Sequence, residues 1–225
     1  MHQTASAREL VNLRESYIKL LKVTVFIVCL IPLGLLGLQA IHGKMGTDPV
    51  AHMTHLTGKW TLRFLLITLA VTPVRKITKL NWLIRFRRML GLYAFFYGSL
   101  HLLTYVWFDK FFDVHEMLAD IAHRRFITAG LVAWTLMVPL AVTSTLWAIR
   151  KLGGRRWQLL HRLIYISACA AVVHYWWLVK PGVMTPTSYT LILLVLLLLR
   201  PVLRLLDKLR HTQTKPAPQP QLQTK

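Results

Sequence analysis

The sequence predicts an all-α integral membrane protein, a bundle of six transmembrane helices with both termini on the cytoplasmic side. Three observations carry this expectation. Hydrophobic residues fill 55% of the 225 positions and charged residues only 16%, a balance too apolar for a soluble domain of this length. The apolar positions are contiguous, in windows close to the ~20 residues that a helix needs to cross about 30 Å of hydrocarbon. Lysine and arginine are shared unequally between alternate connecting segments, as positive-inside insertion requires.

The spans follow in order. Residues 1–21 form a polar, helix-forming cytoplasmic segment, and the first span covers 22–40. That span lacks a small-residue cleavage site and is expected to remain as an anchor. The second, 60–74, is short and carries Arg63. The third covers 89–108, the fourth 126–147, the fifth 159–179 and the sixth 187–206. An even number of spans places both termini on one side, and that side collects 19 of the 28 lysines and arginines. Arg87 and Arg88 lie there between the second and third spans, and Arg155 and Arg156 between the fourth and fifth. The opposite side carries Lys44, Lys59, Lys110, Arg124, Arg125 and Lys180 beside Asp48, Asp109, Asp113, Glu116 and Asp120. The net charge of +20 is thus explained by insertion topology. No basic stripe with stacking aromatics accompanies it, which excludes nucleic acid as a partner. A single transmembrane domain occupies 22–208, and the Pro-, Gln- and Thr-rich segment 209–225 is expected to be a disordered cytoplasmic tail. No internal repeat is visible at any defensible period. Cys29 and Cys169 both fall mid-span, outside any CxxC or CxxCH pattern, so a zinc finger and covalent c-type haem are excluded.

The histidines carry the chemistry. His101 lies deep in the third span and His174 deep in the fifth, and an ionisable group inside the membrane is a functional hypothesis by default. Both helices run outward, and each histidine stands about 20 Å from its cytoplasmic edge at 1.5 Å per residue. Two neutral imidazoles at one depth on parallel helices suit the two axial ligands of a b-type haem iron better than two isolated interhelical hydrogen bonds. Gly98, Ala170 and Ala171, three or four positions before these histidines, lower the helix surface for a flat macrocycle. His161 opens the fifth span, roughly 20 Å from His174 along the axis. It is either an inner haem ligand or an interfacial polar group among Arg155, Arg156 and Arg162. Nothing obvious pairs with it on the third span, where Arg87 and Arg88 suit a haem propionate or a flavin phosphate. His42 and His55 belong to a solvated outer loop or line a quinone or partner-protein site, and His115 is placed in water by Asp109, Lys110 and Asp113.

The runs RRMLGLYAFFYGSLHLLTY, TSTLWAIRKLGGRRWQLLHRLIYI and HYWW, with the early IHGKMGTDPV and HLTGKW, carry a resemblance. As an ordered set over about 18–208 they resemble the haem-binding membrane subunits of bacterial methionine sulfoxide reductase systems, within the ferric reductase-like transmembrane superfamily. The resemblance implies haem-ligand histidines at His101, His161 and His174, one or two b-type haems, and FMN. It further implies an electron-transfer subunit of the inner membrane, paired in a heterodimer with a periplasmic molybdopterin enzyme that repairs oxidised proteins. The implied donor is the quinone pool or a cytoplasmic flavin reductase. Independently, the chain has no GxGxxG after a strand and no room for a nucleotide domain, so its electrons come from quinol or another protein. Two other readings share part of this pattern. A cytochrome b-like quinol oxidoreductase serving another periplasmic acceptor fits every haem argument. A histidine-containing transporter would favour acidic groups at the midplane, and no Asp or Glu lies inside any span.

Overall fold

The computed structural model describes residues 2–179 and 185–213; within these the chain is helical, with no strand. The elements are α1 (His2–Ile41), α2 (Pro49–Thr78), a short turn of helix at Asn81–Leu83, α3 (Ile84–Thr104), a π-turn at Tyr105–Asp109, α4 (Val114–His123), α5 (Arg125–Val142), α6 (Leu146–Leu152), α7 (Gly154–Leu160), α8 (Leu163–Leu178) and α9 (Thr185–Gln213). Among the described residues, four stretches are long and apolar enough to cross a membrane: Glu15–Ile41, Asn81–Asp109, Arg125–Val142 and Thr185–Leu206. The second and fifth expected spans correspond to α2, diluted by Lys59, Arg63 and its threonines, and to α8, only 16 residues long.

Alternating direction is written into the contacts. Tyr93 Oη donates to Phe26 O and Tyr97 Oη to Cys29 O, at 2.9 and 2.8 Å, so α3 runs parallel to α1. Between α2 and α3, Thr54 faces Thr104 and Thr61 faces Gly98, an antiparallel pairing. α5 and α8 pair in the same way, with Phe126 beside His174 and Ala133 beside Ser167. α9 returns antiparallel to α8, through Arg200 on the Tyr165 hydroxyl and Tyr189 against Tyr175. The buried centre joins Leu65, Leu69, Tyr97, Met137 and Ala168 from these helices.

The outer faces are apolar. Val23, Phe26 and Ile27 on α1 are 56%, 50% and 58% exposed, and Leu191, Leu194 and Leu198 on α9 are 60%, 52% and 56% exposed. In water each such side chain would forgo about half of the roughly 1.5–3 kcal/mol that full burial is worth, so these faces fit lipid and not solvent.

Two expected spans are interrupted. The fourth, expected to reach 147, ends at Val142. The Thr143 and Ser144 hydroxyls donate back to Pro139 O and Leu140 O at 2.6 and 2.7 Å, and Thr145 turns to cap α6 through Ala148 N. Side-chain hydroxyls here compete with the helix ladder. Gly153, at φ 75 and ψ 148, then joins α6 to α7 in a conformation that is essentially glycine's alone. The fifth span is broken at His161 and Arg162, where the Arg162 and Tyr165 amides bond three residues back instead of four. α9 continues to Gln213, into the segment 209–225 expected to be disordered. The rest of that tail, with Lys215 and Lys225, and the expected outer charge Lys180 lie outside the described residues.

At the far end of α3 the chain turns through the π-turn into α4, which Asp113 caps through Glu116 N at 3.0 Å. Buried Asp120 anchors this corner, accepting from Tyr105 Oη at 2.9 Å and pairing with Lys110 Nζ at 3.0 Å and Arg124 Nε at 3.1 Å. Desolvation pushes the Asp120 carboxyl up, but the Lys110, Tyr105 and Arg124 contacts together hold it below the usual carboxylate value. The hydrogen bond that Lys110 donates to Asp120 raises the Lys110 ammonium above its ordinary value.

Candidate functional site

α3 and α8 each deliver one histidine near their C-terminal ends, and the structure brings the two together. The His101 and His174 ring centres are 5.9 Å apart with the ring planes at 77°. His101 Nδ1 lies 2.9 Å from Thr54 O on α2, and His174 Nδ1 lies 2.6 Å from Phe126 O on α5. A carbonyl only accepts, so each Nδ1 carries the proton and each Nε2 keeps its lone pair. Thr104 Oγ1, which donates to His101 O at 2.8 Å and accepts from Thr54 Oγ1 at 3.0 Å, braces the same corner. On the other side Ser167 Oγ donates to Ala133 O at 2.8 Å and fixes α8 on α5.

This donor set fits a haem. Two imidazoles holding one metal from opposite sides, with bonds of about 2 Å each, have ring centres roughly 6 Å apart. No group of three or more His, Cys, Asp or Glu placed to hold a metal ion occurs among the described residues. A site built only from protein ligands needs three or four of them, whereas a macrocycle that supplies its own in-plane nitrogens leaves two axial positions to the protein.

The expected small-residue slot is only partly where the sequence put it. Gly98 is filled over: a Cβ there would meet Met137 Cε at 3.1 Å and Thr61 Cγ2 at 3.3 Å, so it serves close packing of α3 on its neighbours. The glycines that do touch the imidazoles are Gly58 against His101 and Gly130 against His174. Sequence reasoning missed both, because each sits on the helix that faces the histidine and not on its own. The carbonyl, the glycine four residues later and the facing histidine recur in both helix pairs, a local repeat that the sequence does not display.

Toward the other end of α3 a cavity of about 220 Å³ is lined by Arg87, Arg88, Gly91, Phe95, Trp157 and His161, among others. His161 stacks on Trp157 with ring centres 3.8 Å apart, and its Nδ1 lies 3.1 Å from Trp157 O. Among the described residues its buried Nε2 meets no partner at full hydrogen-bond geometry, although the Leu140 carbonyl lies near the ring. The three inner residues singled out from the sequence therefore share one cavity. His42 and His55 do not join either group. Both are exposed, His42 folding back onto Leu38 O at 2.7 Å, while the neighbouring His52 reaches Gln39 across the α1–α2 turn at 3.0 Å. His115 is exposed on α4.

Comparison with known proteins agrees with this architecture. The profile of the ferric reductase like transmembrane component matches residues 57–172. The protein-methionine-sulfoxide reductase heme-binding subunit MsrQ of Herminiimonas arsenicoxydans is 50% identical over 183 residues, covering 80% of this chain and 84% of its own. The subunit of the same name from Azospira oryzae is 47% identical over 207 residues, covering 89% and 87%. That from Rhodospirillum rubrum is 43% identical over 197 residues, covering 88% and 93%.

Proposed function

The chain belongs to the ferric reductase-like transmembrane family and, within it, to the MsrQ subunits, and from that premise we propose that it carries electrons across the bacterial inner membrane through b-type haem to a periplasmic methionine sulfoxide reductase. The observation that carries the reading is the His101–His174 pair, two imidazoles 5.9 Å apart, each held by Nδ1 on a helix carbonyl. When bound, haem b supplies reversible one-electron chemistry. The protein's part is to hold it: His101 and His174 would supply their Nε2 atoms as its two histidine ligands, and Thr54 O on α2 and Phe126 O on α5 hold the rotation of the two imidazoles. At the inner end, His161 offers its buried Nε2 as the ligand for a second haem. Arg87 and Arg88 supply the positive charge that a haem propionate or an FMN phosphate takes.

In this reading 22–208 is one transmembrane domain in which α2 and α8 also cross, giving six spans with both termini cytoplasmic. Electrons enter at the cytoplasmic end from the quinone pool or a cytoplasmic flavin reductase. They leave near the outer pair for a molybdopterin partner, so this chain is the electron-transfer subunit of a heterodimer and not its catalytic one. The test is a deletion of the gene for this chain. The soluble partner should stay competent with artificial donors yet fail to repair oxidised envelope proteins in cells, and unchanged repair would contradict the assignment.

A further inference from the structure

The two imidazoles are held by one local device used twice. On α2, Thr54 O receives the His101 ring and Gly58 stands one turn later; on α5, Phe126 O receives the His174 ring and Gly130 stands one turn later. A Cβ added to Gly58 would lie 3.0 Å from His101 Cε1 and 3.1 Å from its Nδ1. At Gly130 it would lie 2.8 Å from His174 Nδ1 and 3.0 Å from its Cε1. These are closer approaches than real Cβ atoms accept without displacement of the ring.

The geometry of a helix explains why glycine stands there. A carbonyl at position i uses one lone pair for the amide at i+4 and has a second to offer. The side chain at i+4 leans back toward the N-terminus and crowds that second lone pair. A slender hydroxyl still reaches such a carbonyl, as Tyr93 does at Phe26 O and Ser167 at Ala133 O, but the imidazoles of His101 and His174 lie in the space that a Cβ at i+4 would take. Glycine is disfavoured inside helices, and access to the carbonyl gives its presence at both positions a common cause.

We propose that Gly58 and Gly130 are positioning residues for haem, each opening a helix carbonyl so that the facing histidine is locked by Nδ1–H and turned to offer Nε2 to the iron. The proposal rests on the reading of His101 and His174 as axial ligands. A ring whose N–H is held by a carbonyl is a more basic ligand with a fixed orientation. It favours the ferric state, so loss of the bond raises the reduction potential.

The experiment uses the purified, haem-loaded protein. Gly58→Ala and Gly130→Ala are compared with Gly34→Ala and Gly37→Ala, where an added Cβ meets nothing within 4 Å among the described residues. The first two variants should shift the haem potential upward and change the low-spin EPR g-values, which read imidazole orientation, while the controls match the wild type. An unchanged potential and unchanged g-values in either variant would overturn the assignment of that glycine. If a variant does not fold, pulsed EPR of the ferric wild type decides through the nitrogen quadrupole coupling of Nδ1. The value of a hydrogen-bonded imidazole N–H is expected for both rings, and that of a free N–H overturns the proposal. Failure of the underlying reading has a different signature, since His101→Ala and His174→Ala would then keep the wild-type haem spectrum.

Discussion

His101 and His174 bound a single space from two helices, so their contributions to it are not independent. Replacing either with alanine removes one of two axial ligands of the same iron, and the double variant should then lose hardly more haem than each single one. Haem-to-protein ratios of the three variants measure this, and additive, separate losses would refute the pairing. The shared depth of the two residues is legible in the sequence, because a helix converts residue count into distance at a fixed rise. Gly58 and Gly130 are not legible in that way. A glycine is interpretable only through what approaches it, and here the approaching ring belongs to a helix more than 40 residues further along the chain. Gly98 misleads for the same reason: it lies beside His101 in sequence, but Met137 and Thr61 fill the space a side chain would take.

Among the elements, the long apolar helices follow from composition and their breaks follow from particular polar residues. The end of α5 at Val142 depends on three consecutive hydroxyl residues, of which two bond back to the ladder and the third caps the next helix. Apolarity alone does not register them, which is why the expected fourth span runs too far. α4 is equally invisible to a search for long apolar runs, being ten residues with acidic groups at both ends. Its attachment is electrostatic and therefore responds to pH. The folded-state value of the Asp120 carboxyl is depressed, so the stability it contributes is complete above the ordinary carboxylate value and is lost as pH falls through the lowered one. The protection factors of the Val114–His123 amides, taken relative to the intrinsic rate at each pH, should fall on acidification in that range. Asp120→Asn should show low protection already at neutral pH, with little further change in acid. Equal protection in the variant and the wild type would show that other contacts hold α4.

For the whole molecule, the proposed six spans α1, α2, α3, α5, α8 and α9, with the one-sided distribution of cations, predict both termini in the cytoplasm. A reporter fused to the end of α9 should be active only if it functions in the cytoplasm, and periplasmic activity there would mean that a span is miscounted. Composition makes the membrane class readable, because the bilayer imposes the same constraint on every span. What composition leaves open is which helices face each other, since interhelical pairing in lipid rests on small residues and single hydrogen bonds. In this chain those are contacts such as Tyr97 on Cys29 and Ser167 on Ala133. The central claim, that two imidazoles of this bundle hold a haem without covalent attachment, is tested most directly by the reduced-minus-oxidised visible spectrum of the purified protein with haem quantitation. The account predicts a low-spin b-type spectrum from which the same haem is missing in the His101→Ala and His174→Ala variants; a colourless protein from haem-replete cells would contradict it.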